Sequence, residues 1–122
     1  MTRPVSHIGK NKELVINEGV SIPLSELQFR FIPSSGPGGQ HVNRSATQAV
    51  LEFDLGQSPF LSEEQKDTIR TQWKSYIDKD GIVHLSSQTF RSQIRNREDV
   101  TSRFVVMLRR ALLGIRMHGY LR

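Results

Sequence analysis

The 122 residues and 13.9 kDa suit one domain and leave no room in this sequence for a second specificity module. Apolar residues make up 36%, enough for one modest core, and the lack of cysteine excludes disulfides and thiolate metal sites and fits a reducing compartment. The net charge of +5 is uneven: residues 1–90 carry nine basic and ten acidic side chains, residues 91–122 eight arginines against Glu98 and Asp99. No apolar run approaches the roughly 20 residues of a membrane helix, and the N-terminus lacks an apolar signal core, so a cytoplasmic protein without membrane contact is expected.

Residues 1–14 are polar and aperiodic and are expected to form a mobile arm. Residues 15–24 (VINEGVSIPL) read as an irregular extended lead-in. Leu27, Phe29 and Phe31 alternate with Gln28 and Arg30, the pattern of a half-buried strand. Residues 33–45 (PSSGPGGQHVNRS) hold three glycines and two prolines and cannot form a regular element. A second strand follows, with Ala49, Leu51, Phe53 and Leu55 alternating with Val50, Glu52 and Asp54. The two strands should pair antiparallel around a loop that is long for a hairpin.

Ser62 and Gln65 read as a capping box opening a helix, with Glu63 and Glu64 in its first turn. Ile69, Trp73, Tyr76 and Ile77 give it a core-facing stripe, and Asp80-Gly81 should stop it. Ile82, Val83 and Leu85 form a short third strand, and residues 88–95 a polar connection. Asn96 is expected to cap the last helix, with Phe104, Met107 or Leu108, Ala111 and Ile115 on its buried face and Gly114 or Gly119 at its end. The order is β-β-α-β-α. It implies an α+β fold: a mostly antiparallel sheet of three or four strands with two helices packed on it. The expected boundaries are an arm at 1–14, a folded domain at 15–116 and a short remnant at 117–122.

The concentration of arginine after residue 90 suggests a nucleic-acid partner, because the planar guanidinium matches phosphate; the alternative is a solvated helix face. The glycine-rich loop has two readings as well. It can aim consecutive backbone N–H groups at one acceptor and bring the main chain close to a ligand, or it can be an ordinary flexible connection. It is not a phosphate-binding P-loop, since Gln40-His41-Val42 stands where GK[ST] is needed. The histidines at 7, 41, 84 and 118 lack ligand spacing, so no metal site and no cofactor are expected. Ser34 and Ser35 have no partner base for nucleophilic catalysis.

The run Gly36-Pro37-Gly38-Gly39-Gln40-His41-Val42-Asn43 resembles the GGQ signature of class I peptide chain release factors. Phe90-Arg91-Ser92-Gln93, followed by Asn96-Arg97, resembles a second short motif of that family at the head of the last helix. The length is similar to that of the single-domain, codon-independent ribosome-rescue peptidyl-tRNA hydrolases. The resemblance implies hydrolysis of the peptidyl-tRNA ester in the peptidyl transferase centre, with the ribosome and peptidyl-tRNA as partners; the alternatives are a non-catalytic ribosome- or RNA-binding module and hydrolysis of free peptidyl-tRNA, and a monomer is expected. The resemblance also implies catalytic roles for Gly38, Gly39 and Gln40: the Gln40 N–H donates to the developing oxyanion or the leaving oxygen, and its side chain orients water. His41, Arg44, Arg91, Arg95 and Arg97 are the expected RNA contacts; for the last three the alternative is pairing with the acids of residues 52–67. Family members continue past this helix with a long basic tail. This sequence stops at Gly119-Tyr120-Leu121-Arg122, so weak ribosome affinity and poor preference for stalled ribosomes are expected.

Overall fold

A computed structural model describes residues 12–33 and 46–121, with side chains as far as residue 113. Leu14 and Ile16, then Val20 and Ile22, alternate apolar side chains on either side of an Asn-Glu-Gly turn. They form strands β1 (Glu13–Asn17) and β2 (Val20–Pro23), paired antiparallel with Leu14 opposite Ile22. The Asn17 side chain closes the turn by accepting from the Gly19 N–H at 2.8 Å. This hairpin replaces the expected irregular lead-in. Its first strand also takes residues 13 and 14 from the expected arm, because Leu14 is fully buried.

The alternating segments around the glycine-rich loop form β3 (Leu27–Ile32) and β4 (Gln48–Asp54), antiparallel as expected. Strand β5 (Ile82–Ser87) pairs antiparallel with β4, giving a three-stranded sheet of order β3-β4-β5. One face carries Leu27, Leu51, Phe53, Val83 and Leu85, all buried. The other face is polar. There Glu52 meets Arg30 at 3.0 Å and His84 at 3.3 Å.

Helix α1 (Glu63–Gln72) starts as its sequence dictates. The Gln65 N–H donates to Ser62 Oγ at 3.1 Å, and the Ser62 N–H donates to the Gln65 side chain at 2.7 Å. Lys66 lies buried with Nζ donating to the Gly56 carbonyl at 2.9 Å, which ties the helix to the turn before it. The helix ends at Gln72, earlier than the apolar stripe implies. Trp73 is its buried cap residue, residues 74–76 form a 3-10 turn, and Ile77 bridges to Val83. The Asp78 carboxylate accepts from the Asp80 and Ile82 N–H groups at 2.8 and 3.0 Å, so the chain reverses there; Gly81 supplies the positive φ of 84°. Tyr76 is consequently 41% exposed and leaves the core stripe.

Helix α2 (Gln93–Leu121) passes through Gly114 and Gly119 without stopping and runs beyond the expected boundary at 116. Val100, Phe104, Val105, Leu108, Ala111 and Leu112 are buried along it, a stripe at helical spacing; the side chain of Ile115 lies outside the described residues. Phe104 packs edge-on against Phe53 at 5.2 Å and Trp73 at 6.0 Å, joining sheet and both helices in one core. The hairpin packs on the same helix, and Arg109 donates to the Val15 and Ile16 carbonyls at 2.8 and 2.9 Å. The fold is thus α+β as expected, with five strands in two sheets among the described residues in place of three or four in one.

Asp78 also receives His84, whose Nε2 lies 2.7 Å from Oδ2. This hydrogen bond and the one from the Ile82 N–H hold the Asp78 carboxyl below its ordinary 3.8. Its stabilisation is therefore complete above the ordinary value and is lost as the pH falls through the lowered folded-state value. The gap in melting temperature between the unaltered chain and Asp78→Asn should be open at neutral pH and close as the pH drops below 3.8. Phe104→Ala should cost about 3–5 kcal/mol by urea denaturation, because it empties the centre of the core.

Candidate functional site

The residues expected to act chemically, Gly38, Gly39 and Gln40, lie outside the described residues, as do His41 and Arg44. What the structure describes is how the chain enters and leaves their segment. Ile32 and Gln48 are the last paired residues of β3 and β4, so the segment springs from two antiparallel ends held side by side.

The outgoing end is tied down by the head of α2. Gln93 Nε2 donates to the Ala46 carbonyl at 2.6 Å. Asn96 Nδ2 donates to the next carbonyl, that of Thr47, at 2.7 Å and to that of Phe90 at 2.9 Å. Asn96 Oδ1 accepts from the Phe90 N–H at 2.8 Å and lies 3.3 Å from Ser87 Oγ, which donates to Asp99 Oδ2 at 2.7 Å. The side chains of Gln93 and Asn96 sit three residues apart, so one helical turn presents both to the same stretch of chain.

This arrangement corrects one expectation. Asn96 does not cap α2. Ser92 does: its Oγ accepts from the Arg95 N–H at 3.2 Å, and its carbonyl accepts from the Asn96 N–H at 3.0 Å. Asn96 lies within the first turns and is fully buried, with its amide turned toward the stem. A buried amide is costly unless its polar atoms are paired, and here both nitrogen donors and the oxygen have partners.

Arg91, Arg95 and Arg97 flank this same turn, all exposed. None forms an ion pair with a described carboxylate, so the alternative of pairing with the acids of residues 52–67 finds no support among the described residues. Two of them stack instead. The Arg95 guanidinium lies 4.0 Å from the centre of the Phe90 ring, and that of Arg97 4.5 Å from the Phe29 ring. Stacking holds each planar fork in place while its edge N–H groups stay available. Arg97 and Phe29 also line a shallow groove of about 380 Å³ with Leu24, Ser25 and Leu27.

The other cations of the C-terminal third divide. Arg103 donates to the Ser86 carbonyl at 2.6 Å and lies 3.8 Å from Asp99, while Arg109 is held by the hairpin. Both are therefore structural ties, a role that neither the nucleic-acid reading nor the solvated-face reading of the C-terminal arginines includes. Trp73 belongs to the core, as its place in the apolar stripe implies, and Phe90 is half-buried beneath Arg95. Among the described residues no three His, Asp or Glu side chains are grouped to hold a metal ion.

Sequence reasoning misses Gln93 and Asn96 as anchors of the stem. The signal lies in the second motif itself, whose polar residues read locally as a cap and a connection. Their partners sit 47 and 49 residues away, beyond what local patterns reveal.

Comparison with known proteins identifies the family of the chain. The family model described as the RF-1 domain matches residues 15–117. Over 95 residues the chain is 32% identical to peptidyl-tRNA hydrolase ArfB of Pseudomonas putida, covering 78% of this chain and 69% of that protein. Over 75 residues it is 37% identical to the large ribosomal subunit protein mL62 of Mus musculus, covering 62% of this chain and 36% of that protein. The strands that present the glycine-rich segment and the helix head that ties it down fall within the family match, and the chain belongs to the RF-1 domain family.

Proposed function

We propose that this chain is a codon-independent peptidyl-tRNA hydrolase that releases nascent peptide from stalled ribosomes. The observation that carries the reading is an RF-1 domain spanning residues 15–117 with an intact Gly38-Gly39-Gln40, in a chain 32% identical to a peptidyl-tRNA hydrolase. A ribosomal partner also fits the second relative, itself named as a ribosomal protein.

Hydrolysis of an activated ester needs a placed water and a donor for the charge that develops on the carbonyl oxygen. It does not require a side-chain base. In this proposal the Gln40 N–H supplies the donor, and the Gln40 side chain orients water and excludes larger nucleophiles. Gly38 and Gly39 allow the backbone to take the needed path without a Cβ in the way. Ribosomal RNA and tRNA complete the site. His41 and Arg44 meet RNA beside the reacting ester, and Arg91, Arg95 and Arg97 meet its backbone near the stem. The stacked guanidinium planes of Arg95 and Arg97 suit that role, because the fork is oriented before RNA arrives.

In this reading residues 15–116, together with the start of β1 and the rest of α2, are the catalytic domain, acting as a monomer in the cytoplasm. Among the described residues no helix is long and apolar enough to cross a membrane.

Peptide release from ribosomes stalled on truncated mRNA tests the reading. Gln40→Ala keeps the backbone N–H and removes the side chain that orients water, so it should slow release; Gly39→Ala puts a Cβ in the way of the backbone path and should cost up to about the 10²–10³-fold of one misplaced preorganised donor. Release at the unaltered rate by both Gln40→Ala and Gly39→Ala would overturn it. For the arginines, the readout is the slope of log affinity for ribosomes against log salt. Alanine at Arg91, Arg95 or Arg97 should flatten that slope by about 1 for each phosphate that is no longer neutralised.

A further inference from the structure

We infer that Gln93 and Asn96 are positioning residues for the catalytic segment, setting the rate of ester hydrolysis without touching the substrate. The inference rests on the hydrolase reading above. It goes beyond that reading by assigning a role to two uncharged side chains of the second motif.

The two residues hold consecutive carbonyls, Ala46 and Thr47, at 2.6 and 2.7 Å. One helical turn thus holds two adjacent peptide groups of the stem, which constrains its direction more than a single hydrogen bond would. Five residues separate Ala46 from Gln40 in sequence, so the anchored carbonyls lie close along the chain to the residue proposed to act.

The anchor is rigid on its other side. Asn96 is fully buried, and its amide also engages both backbone polar groups of Phe90. It therefore joins the connection after β5, the head of α2 and the chain entering β4. A satisfied buried amide of this kind selects one geometry, because every alternative leaves a polar atom unpaired. Val100 and Phe104, one and two turns further along the helix, fix α2 in the core. The stem is thus tied to the core of the domain.

The two anchors differ in what their loss would do. Asn96 stabilises the fold as well as the stem. Gln93 is exposed, and the hydrogen bond it makes to the stem is to the Ala46 carbonyl. Its removal should leave the domain folded and the RNA-facing cations in place, and should alter the direction of the stem. Displacement of a reacting group by about 1 Å can cost on the order of 100-fold in rate, so a partial loosening of the stem is expected to cost about tenfold.

The experiment compares Gln93→Glu, Gln93→Ala and Asn96→Asp with the unaltered chain, Gln40→Ala and Gly39→Ala in peptide release from ribosomes stalled on truncated mRNA. Protein concentration is varied to separate the rate at saturation from the half-saturating concentration, and each chain is melted thermally. Glu matches Gln in shape but cannot donate, and its charge repels the carbonyl oxygen. Gln93→Glu and Gln93→Ala should melt as the unaltered chain does, reach saturation at an unchanged concentration and release peptide about tenfold more slowly. Asn96→Asp should be slower still; if it fails to fold, the Gln93 pair decides the matter. Full saturating rates for both Gln93 variants, with Gln40→Ala slowed, would overturn the inference. So would a defect confined to the half-saturating concentration, which would make Gln93 a ribosome contact. Unaltered release by Gln40→Ala and Gly39→Ala alike would instead remove the hydrolase reading on which the inference stands.

Discussion

The edge-on contact of Phe104 with Phe53 and Trp73 is the constraint from which the remaining geometry follows. It fixes α2 against the inner face of the three-stranded sheet and seats the end of α1 on both. With α2 fixed, its outer turns become a ruler for everything else. The β1–β2 hairpin packs against its later turns. Its first turn reaches the far end of β4, where the glycine-rich segment rejoins the sheet. One helix thus links the core to the stem at residues 46 and 47.

The chemistry assigned to the loop relies on backbone donors, and backbone donors are only as well placed as the chain that carries them. The polar network around Asn96 answers that need. Ser87, Phe90, Thr47 and Asp99 belong to four different stretches of the sequence and meet at one buried amide and the Ser87 hydroxyl beside it. The stacked arginines occupy the same turn, so the surface that would meet RNA and the support for the loop share one origin. A change in the tilt of α2 would move both together.

Much of this is legible in the sequence where the governing interactions are local. Alternation at 27–31 and 49–55 marks both central strands, and Ser62 with Gln65 marks the start of α1, since each signal involves neighbours a few residues apart. The end of α1 is not legible. Trp73 and Ile77 continue a helical spacing, but a β-bridge from Ile77 to Val83 and the Asp78-centred turn outweigh helix propensity there. Asn96 misleads for a related reason: an Asn shortly before Glu98 and Asp99 imitates a cap, whereas the true cap at Ser92 lacks an acidic residue at the matching place. The hairpin is hard to see because its strands are five and four residues long and a turn divides the pattern early. The family motifs mark where the site should be; the two hydrogen bonds that tie its base join residues nearly fifty positions apart, and only the folded chain reveals them.

The pairing of β1 with β2 shifts between Val15 and Asn17, and Arg109 takes the carbonyls of Val15 and Ile16 at that irregularity. The guanidinium there stands in for a missing strand neighbour. A slip of the hairpin by one residue would withdraw those two oxygens from Arg109 and turn Leu14 and Ile16 away from the core in the same movement. One arginine on the helix thereby encodes the register of a sheet to which it does not belong, and a short ribbon that would be marginal alone acquires a single alignment.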